Sequence, residues 1–282
     1  MRPKTKPVVS TSNYEIDVAT PYRLDLMISV LRRFSANLVD LLTSDGQYIR
    51  AFAGIGEPVI ARVTQPCPGS LVLELDGDVH EHQRTIALVR RMLGVDRDLT
   101  HFNSAAARIS WLRPLARRMR GVKPPRYPTL WEACVNAIVF QQVSLQAASS
   151  ILRKIIRALG APLTYGGSMF HEFPSVQNVR DAKDDLLLAA GLSGRKLATL
   201  RHSGDALVSG TLDEAMLEER ASSDAIDLLC RVKGIGPWTA TVILLRGLGR
   251  LDVFPMNDSS VARNLRLVAG SATLDVEQIL RG

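Results

Sequence analysis

The sequence predicts an α+β fold, with a small lobe of strands and helices followed by a longer, mostly helical region. Three observations carry this. Apolar residues recur at helical spacing over 22–42 and again over 85–93, yet the runs between them, 58–63 and 70–75, read as strands. From residue 110 onward the strand pattern stops and helical periodicity takes over. At 282 residues the chain is too long for one minimal core and fits two compact lobes.

The elements follow in order. Residues 1–13 are polar, carry Pro3 and Pro7, and are expected to be a disordered tail. The α+β domain is expected over 14–110. Its first helix is marked by Leu24, Met27, Ile28, Leu31, Phe34, Leu38, Leu41 and Leu42. The turn Ser44-Asp45-Gly46 follows, and Asp76-Gly77 closes the second strand run. The helical domain is expected over 111–282. The stiff connector Pro124-Pro125-Arg126-Tyr127-Pro128 leads into Thr129-Leu130-Trp131-Glu132, which fits a capping box. An apolar stretch over 130–159 follows, and its polar middle, Gln141-Gln142-Val143-Ser144, marks a break between two helices. Residues 161–178 read as loop, and short helices are expected near 181–190, 195–208, 212–219 and 223–231.

Composition narrows the function. Hydrophobic residues make up 46% and charged residues 22%, the balance of an ordinary globular protein. A formal net charge of +7 favours a polyanionic partner. The three cysteines, Cys67, Cys134 and Cys230, lie far apart, which argues against a disulfide framework, a thiolate metal site or a four-cysteine iron–sulfur centre. No stretch approaches the roughly 18 apolar residues of a membrane helix, and the first residues lack the apolar core of a signal peptide. The expected setting is a reducing, intracellular one, the cytoplasm. His80 and His82, beside Asp78 and Glu81, suit either a metal or a solvated turn, and no catalytic metal is assigned.

Residues 229–239 read Leu-Cys-Arg-Val-Lys-Gly-Ile-Gly-Pro-Trp-Thr. One helix ends near Val232, a hairpin passes through Gly234-Ile235-Gly236, and a new helix begins near Pro237. Gly234 and Gly236 allow unusual φ values and close approach. The unpaired N–H groups and the positive end of the helix dipole make a site for one phosphate. Alone, this pattern is equally a plain glycine-containing turn. Downstream, residues 248–261 carry Asp252 and Asp258, the latter twenty positions after Trp238.

The hairpin, the tryptophan and that aspartate together resemble the helix-hairpin-helix (HhH-GPD) DNA glycosylases. Within that superfamily the sequence is most similar to bacterial 3-methyladenine DNA glycosylase II, of alkylation repair. The likeness runs from about residue 20 onward, with 92–96 and 141–144 as supporting matches. It implies a monofunctional DNA N-glycosylase that flips an alkylated base from duplex DNA and hydrolyses its glycosidic bond, opening base excision repair. The alternatives are the same fold acting on an oxidised or deaminated purine, and a non-catalytic damaged-DNA-binding protein.

The resemblance implies roles residue by residue. Asp258 would stabilise the oxocarbenium-like sugar and orient water; it also suits the N-cap of a helix over 259–269. Trp238 stands where bifunctional members carry a lysine nucleophile, so no lyase activity is implied, and its indole would face the flipped base. A plain core tryptophan is the other reading. Backbone N–H groups of Gly234, Gly236 and Thr239 would hold a phosphate. Carbonyls of Cys230, Val232 and Ile235 would hold a structural Na+ or K+, with no other cofactor required. Gln142 would fill the gap left by the base. Lys233, Arg246, Arg250 and Arg263 suit either phosphate contacts or a solvated face. The implied partner is double-stranded DNA with damaged bases, bound by a monomer.

Two departures stand out. Val242 occupies a position where a tyrosine is expected and Val30 one where a phenylalanine is expected, so a plainer base pocket is anticipated. The sequence ends at Ile279-Leu280-Arg281-Gly282, before the family's closing helix, which would leave the last helical layer uncovered.

Overall fold

The computed structural model describes residues 9–32, 38–54, 57–256 and 258–270. The first lobe is built on a five-stranded sheet. Its strands are β1 (Val9–Asp17), β2 (Asp40–Leu42), β3 (Tyr48–Phe52), β4 (Val59–Cys67) and β5 (Ser70–Asp78). They pair antiparallel throughout, in the order β1-β5-β4-β3-β2. Helices α1 (Leu24–Arg32) and α2 (His82–Leu93) cover one face. There Ile16, Met27, Ile28, Val63, Leu73, Val89 and Leu93 form a single buried cluster.

Three expectations are corrected here. Residues 9–13, expected in a disordered tail, run in β1, with Ser12 paired opposite Leu75. The reason is its edge position: Thr11, Asn13, Glu15 and Asp17 are exposed and only alternate residues turn inward, so apolar content is low. Of the helix expected over 22–42, Leu24–Arg32 is described as helix, and Asp40–Leu42 pairs with β3 instead. Leu41 and Leu42 matched helical spacing by chance of register. Residues 161–178 are not one loop: β6 (Pro162–Tyr165) and β7 (Ser168–His171) form a hairpin whose turn, Gly166-Gly167, has φ of 54° and 77°. This hairpin closes the sheet's second face, where Phe170 packs on Ile49 and Ala51 and the Arg62 guanidinium lies 5.0 Å from the Tyr165 ring centroid.

His82 is 1% exposed and shares a hydrogen bond of 3.0 Å with Tyr14 through Nδ1, which accounts for it as a core residue. Among the described residues no three His, Cys, Asp or Glu side chains group to hold a metal. None of the described helices is long and apolar enough to cross a membrane.

After α3 (Thr100–Arg108) and α4 (Arg113–Arg118) the regular elements among the described residues are helical apart from the β6–β7 hairpin. It runs through α5 (Leu130–Val139), α6 (Leu145–Leu159), α7 (Val176–Asp181), α8 (Asp184–Ala189), α9 (Gly194–Val208), α10 (Glu214–Glu218), α11 (Ser222–Cys230) and α12 (Pro237–Ile243). A π-helical turn at Leu244–Leu248 continues α12, and α13 (Ser259–Ala269) follows. The break at 141–144 is present, and Ser144 caps α6 by accepting the Ala147 N–H at 3.2 Å. All ten residues of α5 are buried, so it forms the centre of the second core with Leu200, Leu229, Ile243 and Leu244 around it.

The capping box at α5 is half formed. Thr129 Oγ1 accepts the Glu132 N–H at 3.1 Å, but the Glu132 carboxylate turns away. It accepts from Arg50 Nη2 of β3 at 2.6 Å, while Arg50 Nη1 donates to Asp40 at 2.8 Å and Tyr48 donates to the same Asp40 oxygen at 2.6 Å. Arg50 and Glu132 are both buried, so this pair joins the sheet to the helical core. Desolvation pushes the Glu132 carboxyl above its ordinary value and Arg50 pulls it back. Breaking a buried pair strands a charge, so Arg50→Leu is expected to lower stability by about 3–5 kcal/mol. Urea unfolding checks this, and the Arg50→Leu/Glu132→Leu double variant is expected to lose less than the two singles together.

Candidate active site

Two helices that pack side by side create the site. α5 and the helix over 237–248 run antiparallel, which three contacts establish. At one end Gln141 Nε2 donates to Thr239 Oγ1 at 2.7 Å and to the Gly234 carbonyl at 3.3 Å. At the other the Tyr127 N–H donates to the Arg246 carbonyl at 2.7 Å, and a methyl group on Gly247 would stand 2.8 Å from the Ala133 Cβ. Beside them opens a cleft of about 1420 Å³, lined among others by Gln142, Gly234, Gly236, Trp238, Thr239 and Asp258. The six residues thus meet in one place.

The hairpin is held by a glycine that the packing demands. Gly234 has φ of +97°, and a Cβ there would fall 1.9 Å from Thr199 Oγ1 of α9. Gly236 differs from expectation: its φ is −101°, within reach of any residue, and a Cβ would meet nothing within 4 Å. Its small size leaves open space on the outer side of the hairpin. The N–H groups of Gly234, Gly236 and Thr239 find no acceptor among the described residues, as expected for the first turn of a helix. The Ile235 N–H donates to the Val232 carbonyl at 3.0 Å. The Cys230 and Ile235 carbonyls accept from no donor among the described residues, so oxygen donors that suit a hard monovalent cation are present.

Asp258 is the N-cap of α13. Its Oδ1 accepts the N–H groups of Ser260 at 2.9 Å and Val261 at 3.1 Å, and its Oδ2 accepts the Trp238 indole N–H at 3.2 Å. Three donors fix the carboxylate, one of them from the tryptophan that the sequence pairs with it. Trp238 is half-buried and borders the cleft, so it is more than core filling. Asn257 and residues 271–282 lie outside the described residues, so the expectation of an uncovered last layer falls there too.

Asp252 is elsewhere. It accepts from Ser222 Oγ at 2.6 Å, a bond that holds its carboxyl below the ordinary value. Arg250 is structural: its guanidinium donates to Ser222 Oγ at 2.9 Å and to the carbonyls of Leu217 and Arg220 at the end of α10. Arg246 lies over the Tyr127 ring, 5.2 Å from its centroid, and borders the cleft. Lys233 and Arg263 are exposed.

Gln142 is exposed at the cleft edge with φ of +50°, the one non-glycine among the described residues in the left-handed region. A glutamine held there costs about 1 kcal/mol, a strain that functional sites tolerate. Val242 does border the cleft, but Phe140, Phe173, Phe254 and Tyr127 border it too, so the aromatic surface comes from other elements; Val30 is on α1. Sequence reasoning also missed Gln141, Glu132 and Asn136. The signal for the last two was there: a carboxylate and an amide four apart in an otherwise apolar helix.

A helix-hairpin-helix unit followed by a carboxylate at the next helix start, both facing one cleft, defines the DNA-repair glycosylase class of fold. Residues 135–281 match the family model described as HhH-GPD superfamily base excision DNA repair protein. The chain belongs to that superfamily. It is 30% identical over 240 residues to a probable bifunctional transcriptional activator/DNA repair enzyme of Mycobacterium tuberculosis, covering 82% of this chain and 47% of that protein. The chain therefore spans about half the length of that relative. It is 26% identical over 251 residues to DNA-3-methyladenine glycosylase 2 of Escherichia coli, covering 87% and 84%. The solved 3-methyladenine DNA-glycosylase from Archaeoglobus fulgidus superposes with a TM-score of 0.78 at 24% identity, over 95% of this chain and 90% of that one, a likeness of fold.

The two hairpin glycines are expected to behave differently. Gly234→Ala must strain the backbone and displace Thr199, a loss of about 2 kcal/mol or more. Gly236→Ala is expected to stay within about 1 kcal/mol. Thermal unfolding of the two variants side by side checks both.

Proposed function

We propose that this protein is a monofunctional DNA glycosylase that flips an alkylated base out of duplex DNA and releases it with water. The observation that carries this reading is the Asp258 carboxylate, fixed by Trp238 and the first turn of α13 at the edge of a cleft large enough for a nucleotide. The names of the relatives support the same class of reaction.

The chemistry follows from the groups at hand. The hairpin N–H groups of Gly234, Gly236 and Thr239 hold one phosphate beside the lesion, and the carbonyls of Cys230, Val232 and Ile235 would hold a Na+ or K+ that stiffens the turn when bound. Gln142 occupies the gap in the stack, and the extruded base enters the cleft. A purine alkylated on a ring nitrogen is cationic, and the indole of Trp238 and its aromatic neighbours stabilise it by cation–π attraction. When the C1′–N bond breaks, its electron pair passes to the base and neutralises it, leaving positive charge on the sugar. The Asp258 carboxylate stabilises that charge, orients the water that adds to C1′ and takes up the proton that this water loses. With tryptophan at 238 no Schiff base forms there, and the product is an abasic site with an intact strand. The partner is damaged duplex DNA, bound by a monomer in the cytoplasm.

Asp258→Asn separates chemistry from capping. Asparagine caps a helix about as well as aspartate, so the unfolding temperature is expected to hold. Free-base release from methylated duplex is expected to fall at least about a hundredfold, with DNA binding retained. Equal release from both proteins would overturn the role of Asp258. Tight binding to damaged duplex with no release from the wild type would point to a damage-binding protein, and release confined to oxidised or deaminated bases would reassign the lesion.

A further inference from the structure

α5 is buried along its whole length, and its only charged or amide side chains are Glu132 and Asn136. They stand four residues apart, one above the other on the same face, and both border the cleft. Each has one polar atom engaged by structure and one oxygen left over. Glu132 Oε2 takes the Arg50 bond, and Asn136 Nδ2 donates to the Glu132 carbonyl at 2.8 Å. That second bond fixes the amide orientation, since only the nitrogen donates to a carbonyl. Glu132 Oε1 and Asn136 Oδ1 have no partner among the described residues, and neither is sealed from solvent. Unpaired acceptors on an apolar helix are costly unless something supplies a donor.

Position says what that is. Asn136 lies roughly 7 Å along the helix axis beyond Gln141, which is tied to the hairpin, and Glu132 lies deeper. The facing helix presents Thr241, Val242 and then Arg246, whose guanidinium lies over Tyr127 at the same deep end. We infer that Asn136 Oδ1 and Glu132 Oε1 are the acceptors that read the N–H edge of the flipped base, with Arg246 as the facing donor. The substrate is then a purine that keeps an amino or ring N–H group on its pairing edge. A base whose edge carries only acceptors satisfies Arg246 and leaves both α5 oxygens unpaired. This inference rests on the cleft being the base pocket.

The test uses duplexes with a single lesion, bound in the Asp258→Asn background so that binding is read apart from base release. One lesion, 7-methylguanine, presents N–H donors; the other, 1,N6-ethenoadenine, presents none. Asn136→Leu keeps the volume and removes the acceptor. It is expected to weaken binding to the 7-methylguanine duplex about ten- to a hundredfold and to leave the ethenoadenine duplex unchanged or tighter. Asn136→Asp keeps an acceptor and is expected to restore the preference, which guards against a fold defect in the leucine variant. Proportional weakening toward both lesions, or no change toward either, would overturn the assignment. Because binding is the readout, loss of selectivity on Asn136→Leu would stand even if the wild type released no base. Selective release with an indifferent Asn136 would sink this assignment and spare the glycosylase reading.

Discussion

A methyl group on Gly247 would press within 2.8 Å of the Ala133 Cβ. The two small residues let α5 and the helix over 237–248 lie almost backbone to backbone, and most of the site's geometry follows from that approach. With the helices close and antiparallel, Gln141 meets both Thr239 and the Gly234 carbonyl, so the hairpin is fixed to the end of α5. The break at 141–144 then comes at the mouth of the cleft, and its left-handed residue, Gln142, is presented at the edge. A bulkier residue at 247 would prise the helices apart and move hairpin, strained turn and cleft floor together. Close packing transmits such a shift rather than absorbing it.

Asp258 shows how one bond network fixes two side chains carried on different helices. A side chain that caps a helix is held by that helix's first N–H groups, and Asp258 has two of them on one oxygen. The other oxygen takes the indole N–H of Trp238, from the first turn of a different helix. Carboxylate and indole therefore position each other, and both depend on the hairpin that sets where α12 begins. A side chain on a flexible segment would need ordering before it could act; here folding has already supplied that order.

The sequence was most legible where local rules act alone. The hairpin, the N-cap at Asp258, the helix break and the helices over 181–231 are short-range features governed by glycine, proline and capping residues. What escaped depends on distant partners. β1 is an edge strand of mixed polarity that pairs with β5 from sixty residues away, and no local pattern announces that. Leu41 and Leu42 fit a helix until Tyr48 and Ile49 compete for them. Glu132 satisfied the capping-box pattern, yet its carboxylate goes to Arg50, eighty-two residues earlier, because a buried charge takes the strongest partner within reach. The aromatic lining was missed for a related reason. Phe140, Phe173, Phe254 and Tyr127 sit on different elements, and only packing assembles them.

The Arg50–Glu132 pair gives the first lobe a part in the site. A lone carboxylate at the buried end of α5 would be expelled or neutralised. Arg50, carried on β3 and held from its other side by Asp40, offsets that cost and leaves one Glu132 oxygen toward the cleft. The sheet thus acts as counterion carrier for a helix it does not belong to. The stretch matching the superfamily begins at residue 135, so Glu132 and its sheet-borne partner lie outside it, while hairpin and Asp258 lie within. The Asp258 side of the cleft lies within the matched stretch, whereas Glu132 and its counterion are supplied from before it. A change in the sheet lobe can therefore alter the Glu132 end of the cleft without touching Asp258 or the hairpin.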